Sequence, residues 1–212
     1  MSAKHPTDPS DALAALESLI EGNRRFAAGM PATDTRMLQK ERAGLVHGQA
    51  PFAAILGCSD SRVPVELVFD QGLGDLFVVR VAGNIATPSQ IGSLEFAAEK
   101  FGTRLVVVLG HSGCGAVQET LLQLQQPQGK PGKNLSSLVE TIQPAIAALA
   151  SENPENLLQM AVRANVRATV AQIKQESDSL DHLARTDGLL IVGAEYSLET
   201  GRVDFFEGLS RS

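Results

Sequence analysis

The sequence has few of the residues on which several classes of protein depend. Its 212 residues include two cysteines, one tyrosine and no tryptophan. Two cysteines cannot build the disulfide framework of a small secreted domain, although the count still allows one disulfide. Few aromatic side chains are available to stack on bases, the basic residues are scattered, and the formal net charge is −6. These features argue against a general nucleic-acid surface.

Long apolar runs are also missing. No stretch approaches the roughly 20 apolar residues that a membrane-spanning helix needs. Residues 1–11 are polar and have no apolar segment of the kind that a secretory signal contains. We therefore expect a cytoplasmic protein with no membrane partner. In a reducing compartment, a pair of cysteines more often binds metal or does chemistry than forms a disulfide.

What the sequence does contain is typical of a globular protein. The hydrophobic fraction is 43% and the charged fraction is 20%. The length suits one ordinary domain, residues 1–212, in which about 1–45 form an N-terminal helical arm.

Apolar runs alternate with helical patterns along the chain. Strands are predicted at 52–58, 76–81, 104–109, 189–198 and 202–206, the last two joined by a turn at 199–201. Helices are predicted at 9–28, 36–43, 63–69, 88–101, 115–125, 134–150 and 155–176. This order predicts an α/β fold: a central, mostly parallel sheet flanked by helices, with an antiparallel C-terminal edge hairpin and the N-terminal helical arm. The apolar face of the first helix needs a cover, which is either a partner subunit or the chain's own sheet.

Two short polar motifs follow two of the predicted strands. Gly57–Arg62 reads GCSDSR, and Gly110–Gly115 reads GHSGCG. Because an open α/β sheet presents its sites at the carboxyl ends of its strands, neighbouring strands would bring these motifs together. The residues that would converge are Cys58, Asp60, Arg62, His111 and Cys114.

Their side chains suit a catalytic zinc site. Zinc prefers thiolate and imidazole ligands, and catalytic sites keep three protein ligands and one open position. Cys58, His111 and Cys114 supply such a set. Asp60 could orient a water molecule or occupy the fourth position itself, and Arg62 could decide between these states by holding the carboxylate in a bidentate pair.

Simpler interpretations exist for the same residues. A cysteine at the end of an apolar strand is often a small core residue. A glycine-rich turn before a helix can bind an anion through backbone amides, although residues 110–115 lack the lysine and spacing of a phosphate-binding loop. Cys58 and Cys114 would form a redox dithiol if their sulfur atoms came within bonding distance.

The motifs closely resemble those of the β-class carbonic anhydrases. CSDSR at 58–62 and HSGCG at 111–115 match that family's two metal motifs, and RVAGN at 80–84 is similar to its R-x-A-x-N stretch. The C-terminal run 193–201 resembles its final hairpin. The resemblance covers roughly residues 20–206 in order.

This resemblance implies an activity and a site. It implies Zn²⁺ held by Cys58, His111 and Cys114, with Asp60 and Arg62 as the catalytic pair. The implied reaction is the reversible hydration of carbon dioxide to bicarbonate and a proton, by attack of zinc-bound hydroxide on CO₂. It implies a lyase without an organic cofactor that assembles as a homodimer or homotetramer.

The resemblance also implies substrate-binding positions. Gln49 matches a glutamine that hydrogen-bonds substrate, usually from across the dimer interface. Phe77 and Phe96 match residues that line the CO₂ pocket, although plain core packing explains them equally well, and Ala82 falls where relatives carry a larger apolar residue. One branch of the family has an inhibitory bicarbonate site built from a tryptophan, an arginine and a tyrosine. Arg80 and Tyr196 match the last two, but Ile55 stands at the tryptophan position, which puts this site in doubt. We therefore expect the open form, in which Asp60 pairs with Arg62.

Two other functions fit part of the pattern. A hydrolase of carbonyl sulfide or carbon disulfide would use the same scaffold on another linear substrate. A zinc-stabilised interaction protein would use the metal only structurally, but structural zinc sites are normally closed by four ligands.

Overall fold

A computed structural model describes residues 11–32, 42–125, 132–152 and 154–209 of the chain. Five strands form one sheet in the order β2-β1-β3-β4-β5. The first four are parallel, and β5 is antiparallel to β4. The strands are β1 Ala53–Gly57, β2 Leu76–Arg80, β3 Leu105–His111, β4 Leu190–Tyr196 and β5 Val203–Glu207. The predicted fold class is confirmed.

Seven α-helices with both ends in the described ranges surround this sheet. They are α1 Ala12–Ala27, α2 Val65–Val68, α3 Pro88–Lys100, α4 Gly115–Gln125, α5 Lys133–Glu152, α6 Leu157–Glu176 and α7 Asp178–Thr186. The sequence patterns located all of these except α7. Most of the helix predicted at 36–43 lies outside the described residues. None of the described helices is long and apolar enough to cross a membrane.

The central strands are buried on both faces, as their continuous apolar runs require. Alternate residues of β1 and β3 point to opposite sides of the sheet. One face packs against α1 and α2, and the other against α3, α6 and α7. A third apolar cluster, built from α4, α5 and α6, covers the carboxyl end of the sheet and includes both cysteines. The two cysteines are therefore shielded from bulk water by three helices, while Arg62 at the end of the first motif stays exposed.

Helix α1 covers the sheet of its own chain. The side chain of Asp11 accepts a hydrogen bond from the Ala14 amide and caps the helix. The buried Asn23 donates to the carbonyls of Val68 and Gly201 and accepts from the Val203 amide, which ties α1 to the C-terminal hairpin. Of the two predicted covers for the apolar face of α1, a partner subunit or the chain's own sheet, this arrangement agrees with the sheet.

Helix α6 approaches the sheet closely over two glycines. A Cβ atom on Gly110 would lie 2.6 Å from Cγ2 of Val166, and one on Gly193 would lie 2.7 Å from Cγ1 of the same valine. Because real Cβ atoms do not come this near to another carbon, only glycine lets the helix reach β3 and β4 at these positions.

A Gly110→Ala variant should therefore lose stability. We expect the overpacked methyl group to lower the free energy of unfolding by about 1–3 kcal/mol, measured by urea unfolding at one protein concentration. Gly92→Ala is the matched control, because Gly92 lies in α3 with no atom within 4 Å of an added Cβ. That control should gain about 0.5–1 kcal/mol. Equal effects of the two variants would contradict the close-packing argument.

Candidate metal centre

The carboxyl ends of β1 and β3 bring three candidate ligands together. Strand β1 pairs with β3 so that Gly57 lies opposite Leu109, and Cys58 therefore emerges beside the end of β3. The ligand atoms of Cys58, His111 and Cys114 lie within 4.8 Å of one another, and all three residues are buried. The two sulfur atoms are 4.0 Å apart.

The sulfur–sulfur distance fits two thiolates on one metal. Two sulfurs each about 2.3 Å from a tetrahedral zinc would be roughly 3.8 Å apart. A disulfide requires a separation of about 2.05 Å, and both cysteines are free thiols in the structure. The geometry therefore favours a shared metal over a formed disulfide.

The His111 ring is oriented for ligation through Nε2. Its Nδ1 lies 3.0 Å from the carbonyl oxygen of Ser112. A carbonyl oxygen can only accept, so Nδ1 carries the proton and Nε2 keeps its lone pair. Nε2 is buried and has no hydrogen-bond partner among the described residues. A buried polar atom without a partner is costly, and a metal ion is the partner that this nitrogen suits.

The pKa values of the two thiols are shifted in opposite directions. The pKa of Cys58 is lowered, chiefly because the Cys114 thiol donates a hydrogen bond to its sulfur; burial opposes this, while the Gly83 and Asp60 amides reinforce it. The same hydrogen bond, together with burial, raises the pKa of Cys114. The pair therefore favours a thiolate at Cys58 over one at Cys114.

Asp60 and Arg62 form a bidentate ion pair beside the ligands. The guanidinium Nε donates to Oδ1 over 2.9 Å, and Nη2 donates to Oδ2 over 2.7 Å. These hydrogen bonds from Arg62 hold the pKa of Asp60 well below its usual range. Oδ2 lies 3.8 Å from Nε2 of His111, so the ionised carboxylate is next to the ligand set.

Arg80 holds the backbone of the first motif. Its Nε donates to the carbonyl of Cys58 over 3.0 Å, and its Nη2 donates to the carbonyl of Asp60 over 2.7 Å. Arg80 therefore anchors the loop that carries one ligand and the carboxylate. Of the other inhibitory-site positions, Ile55 is fully buried, and Tyr196 packs its ring 6.4 Å from that of Phe26.

Sequence analysis gave no role at the centre to Gly83, which contacts a ligand, or to Asn165, which contacts Gly83. The Gly83 amide lies 3.3 Å from Sγ of Cys58 and donates to it. The side chain of Asn165, in α6, donates to the carbonyl of Gly83 over 2.8 Å. Asn165 is only 3% exposed. An asparagine on a mostly apolar helical face was the signal in the sequence that could have indicated it.

The four predicted substrate positions lie in different places. Ala82 begins the turn whose next residue, Gly83, contacts Cys58. Phe77 and Phe96 form an aromatic cluster with Phe101 on the edge strand β2, and Phe96 is 48% exposed. The exposed Gln49 precedes β1, at the opposite end of that strand from Cys58. Five strand residues alone span about 16 Å, so Gln49 does not reach its own chain's ligands.

Comparison with known proteins agrees with the geometry. A sequence model of the family described as "Carbonic anhydrase" matches residues 53–203. Carbonic anhydrase 2 of Mycobacterium tuberculosis is 39% identical over 190 residues, covering 90% of each chain. The solved β-carbonic anhydrase of Coccomyxa, in complex with acetazolamide, has a TM-score of 0.70 at 25% identity and covers 90% of this chain and 86% of its own.

A tetrameric β-carbonic anhydrase of Sordaria macrospora has the same TM-score, 0.70, at 24% identity, over 90% of this chain and 96% of its own, and shows the likeness of fold. The family model and the mycobacterial relative each cover well over half of the residues, and both motifs lie within the matched range. The chain therefore belongs to the β-carbonic anhydrase family.

Proposed function

We propose that this chain catalyses the reversible hydration of carbon dioxide to bicarbonate and a proton with one zinc ion held by Cys58, His111 and Cys114. One observation carries the proposal: three buried thiol and imidazole ligand atoms lie within 4.8 Å of one another beside an ionised carboxylate. Membership of the β-carbonic anhydrase family supports the reaction, and the donor set supports the metal.

Zinc bound to such a site supplies a Lewis acid that lowers the pKa of water toward neutrality and so provides a nucleophile at physiological pH. The protein's part is to hold and orient the reactants. Because Arg62 keeps Asp60 ionised, the carboxylate can only accept hydrogen bonds, and it thereby orients the attacking water molecule by its proton. The apolar cluster of α4, α5 and α6 keeps other water away from the cysteines.

We further propose that the resting site is open. In this state Arg62 holds both carboxylate oxygens of Asp60, and the fourth metal position is left to water and substrate. The two parallel hydrogen bonds, of 2.9 and 2.7 Å, support this state, because Asp60 would have to give them up to bind metal. A crystal structure near neutral pH with Asp60 bound to the metal would rule the open state out.

The substrate pocket is proposed to require a second copy of the chain. In this proposal Gln49 from one chain hydrogen-bonds substrate held at the Cys58 centre of its partner, while Phe77, Phe96 and Ala82 give the pocket apolar walls. The distance between Gln49 and its own Cys58 supports this arrangement, as does the exposure of Phe96. The tetrameric assembly named for the Sordaria relative supports self-association as a homodimer or homotetramer.

Mixed oligomers test whether Gln49 acts across chains. We expect Gln49→Ala to lower CO₂ hydration about tenfold by removing one substrate hydrogen bond. If Gln49→Ala and Asp60→Asn chains are coexpressed in equal amounts, about half of the dimers contain one chain of each kind. One of the two sites in such a dimer has both Asp60 and Gln49, so about a quarter of all sites are intact. Activity should then return to about a quarter of the wild-type value.

If Gln49 instead acts on the site of its own chain, every site carries one of the two substitutions. The activity of the mixture then stays at the level of the separate variants. Coexpression of wild type with Asp60→Asn is the control. It should retain about half of the activity under either arrangement, since half of the chains keep Asp60.

Stopped-flow CO₂ hydration with metal analysis on the same sample tests the function directly. We expect about one zinc per chain and hydration that a chelator abolishes and added zinc restores. Sulfide release from carbonyl sulfide, without CO₂ hydration, would instead indicate the hydrolase. Bound zinc without either activity would indicate an interaction protein. The organisation of residues 1–212 as one domain and a cytoplasmic location stay predictions.

A further inference from the structure

A chain of hydrogen bonds links helix α6 to a metal-binding sulfur. Asn165 donates through Nδ2 to the carbonyl oxygen of Gly83 over 2.8 Å. The amide of Gly83 in turn donates to Sγ of Cys58 over 3.3 Å, within the range for a hydrogen bond to sulfur. Asn165, Gly83 and Cys58 are all buried, so water does not compete for these groups.

The backbone conformation and the close packing of Gly83 both require glycine at this position. Its φ is +73°, in the left-handed region that favours glycine. An added Cβ would lie 2.8 Å from Cδ1 of Ile142 and 3.2 Å from Cβ of Ala116. Helices α4 and α5 therefore press on this residue from one side, while Asn165 holds its carbonyl from α6. The turn is fixed with its amide directed at the sulfur.

Asn165 is a polar residue in a buried and mostly apolar position. Most inward residues of α6 are apolar, among them Val162 and Val166, and Thr169 is the other buried polar residue of this helix. An amide in such a place carries a desolvation cost, and its Nδ2 group meets this cost by donating to Gly83. An apolar residue would fill the same space without the cost, so packing alone does not explain an asparagine here.

We propose that Asn165 is a positioning residue of the metal centre: it fixes the Gly83 turn so that the Gly83 amide donates to the Cys58 thiolate. The amide withdraws charge from the sulfur and orients it toward the metal. Contacts of this kind, made by groups that hold a ligand rather than the metal, tune both metal affinity and the electronic state of the ligand. This inference rests on the proposed function, because it assumes that Cys58 is a ligand.

Cobalt in place of zinc provides the test, because its absorption reports the sulfur directly. Wild type, Asn165→Leu and Asn165→Asp are loaded with Co²⁺, and each apoprotein is first compared by circular dichroism. Leucine fills a similar volume without a donor. Aspartate keeps the shape of asparagine, so the comparison survives if the leucine variant does not fold. The readouts are the thiolate-to-cobalt charge-transfer band and the zinc affinity measured by competition with a chelator.

In both variants we expect the charge-transfer band to move to longer wavelength, since a thiolate without its hydrogen bond gives up an electron more readily. Zinc affinity should fall by about 10–100-fold. Thr120→Val is the control, because it removes a buried hydrogen bond that stays within α4, from the Thr120 hydroxyl to the Ala116 carbonyl. It should lower the melting temperature without moving the band.

Two results would overturn the proposals, and they differ. If the wild type binds cobalt or zinc but the Asn165 variants keep its band and its affinity, Asn165 is a packing residue and this inference fails alone. If the wild type binds neither metal at the cysteines, the proposed function fails with it.

Discussion

A Cys114→Ser variant is expected to lose its metal and its CO₂ hydration together. Cys114 is fully buried, and its sulfur lies 4.0 Å from that of Cys58. A serine hydroxyl is almost the same size, but it is a hard donor that stays protonated, whereas zinc binds thiolate. Two ligands would remain, and a site with two ligands does not retain the ion against a chelator. Metal content and stopped-flow hydration should both fall to background.

Val117→Thr is the control for this substitution. Val117 is buried in the first turn of the same helix, α4, and lies in the same apolar cluster. The change places a hydroxyl at a similar depth without removing a ligand, so it should destabilise the fold while zinc content stays near one per chain. If Cys114→Ser kept its zinc and its activity, the proposed ligand set would be wrong.

Replacing Asp60 by asparagine should separate metal binding from catalysis. The zinc content should be unchanged, because the three proposed ligands remain. CO₂ hydration should fall by about 10²–10³-fold, the usual effect of removing one preorganised hydrogen-bonding group at a reacting centre. An amide cannot keep the charge-assisted pair with Arg62, and its nitrogen donates where the carboxylate accepts. Unchanged hydration would remove Asp60 from the mechanism.

The pH dependence gives a second readout for Asp60. Its pKa lies below the ordinary value of 3.8, first because Arg62 hydrogen-bonds the charged form. A lowered pKa means that Asp60 is ionised at every pH above that value, so acidification from pH 8 to pH 5 does not titrate it. The Asp60→Asn profile should therefore be lower at each pH and keep the wild-type midpoint. The stability that the ion pair contributes is present above pH 3.8 and is lost only in stronger acid.

Asp187→Asn is a matched control, since Asp187 pairs with the guanidinium of Arg104 at a distance from the metal motifs. It removes a comparable Asp–Arg pair and should leave both the rate and the profile unchanged. A similar loss of rate in both variants would indicate a general effect of breaking an ion pair.

Much of the fold followed from the sequence because its signals are local. The central strands are buried on both faces and therefore read as unbroken apolar runs. Helix α7 was missed because it is short and polar, and Leu180 is its one buried residue. Strand β3 continues past the predicted end at 109 because Gly110 and His111 pair with Glu195 and Tyr196, and that pairing depends on a partner strand 85 residues further along the chain.

The candidate site likewise has residues that local sequence motifs predict and contacts that they do not predict. Two short motifs at strand ends contain Cys58, Asp60, Arg62, His111 and Cys114. Their convergence was predicted on the condition that the two strands are neighbours, and β1 does pair with β3. The contact of Gly83 with sulfur depends on how α4, α5 and α6 pack, and no local pattern encodes that packing. Gln49 is a third case. It lies only nine residues before Cys58 in sequence, but the extended strand between them places the two residues far apart in space.

The distance along the chain between the two cysteines has a thermodynamic consequence. Cys58 and Cys114 are 56 residues apart in sequence, so a metal bound by both would cross-link two strand ends that are neighbours in the sheet but far apart along the chain. An unfolded chain does not present this ligand geometry, and metal binding is therefore linked to folding. Once free zinc exceeds its dissociation constant, each tenfold rise in zinc should add about 1.4 kcal/mol to the stability of the folded protein. The cellular zinc supply would then govern the protein's lifetime as well as its activity.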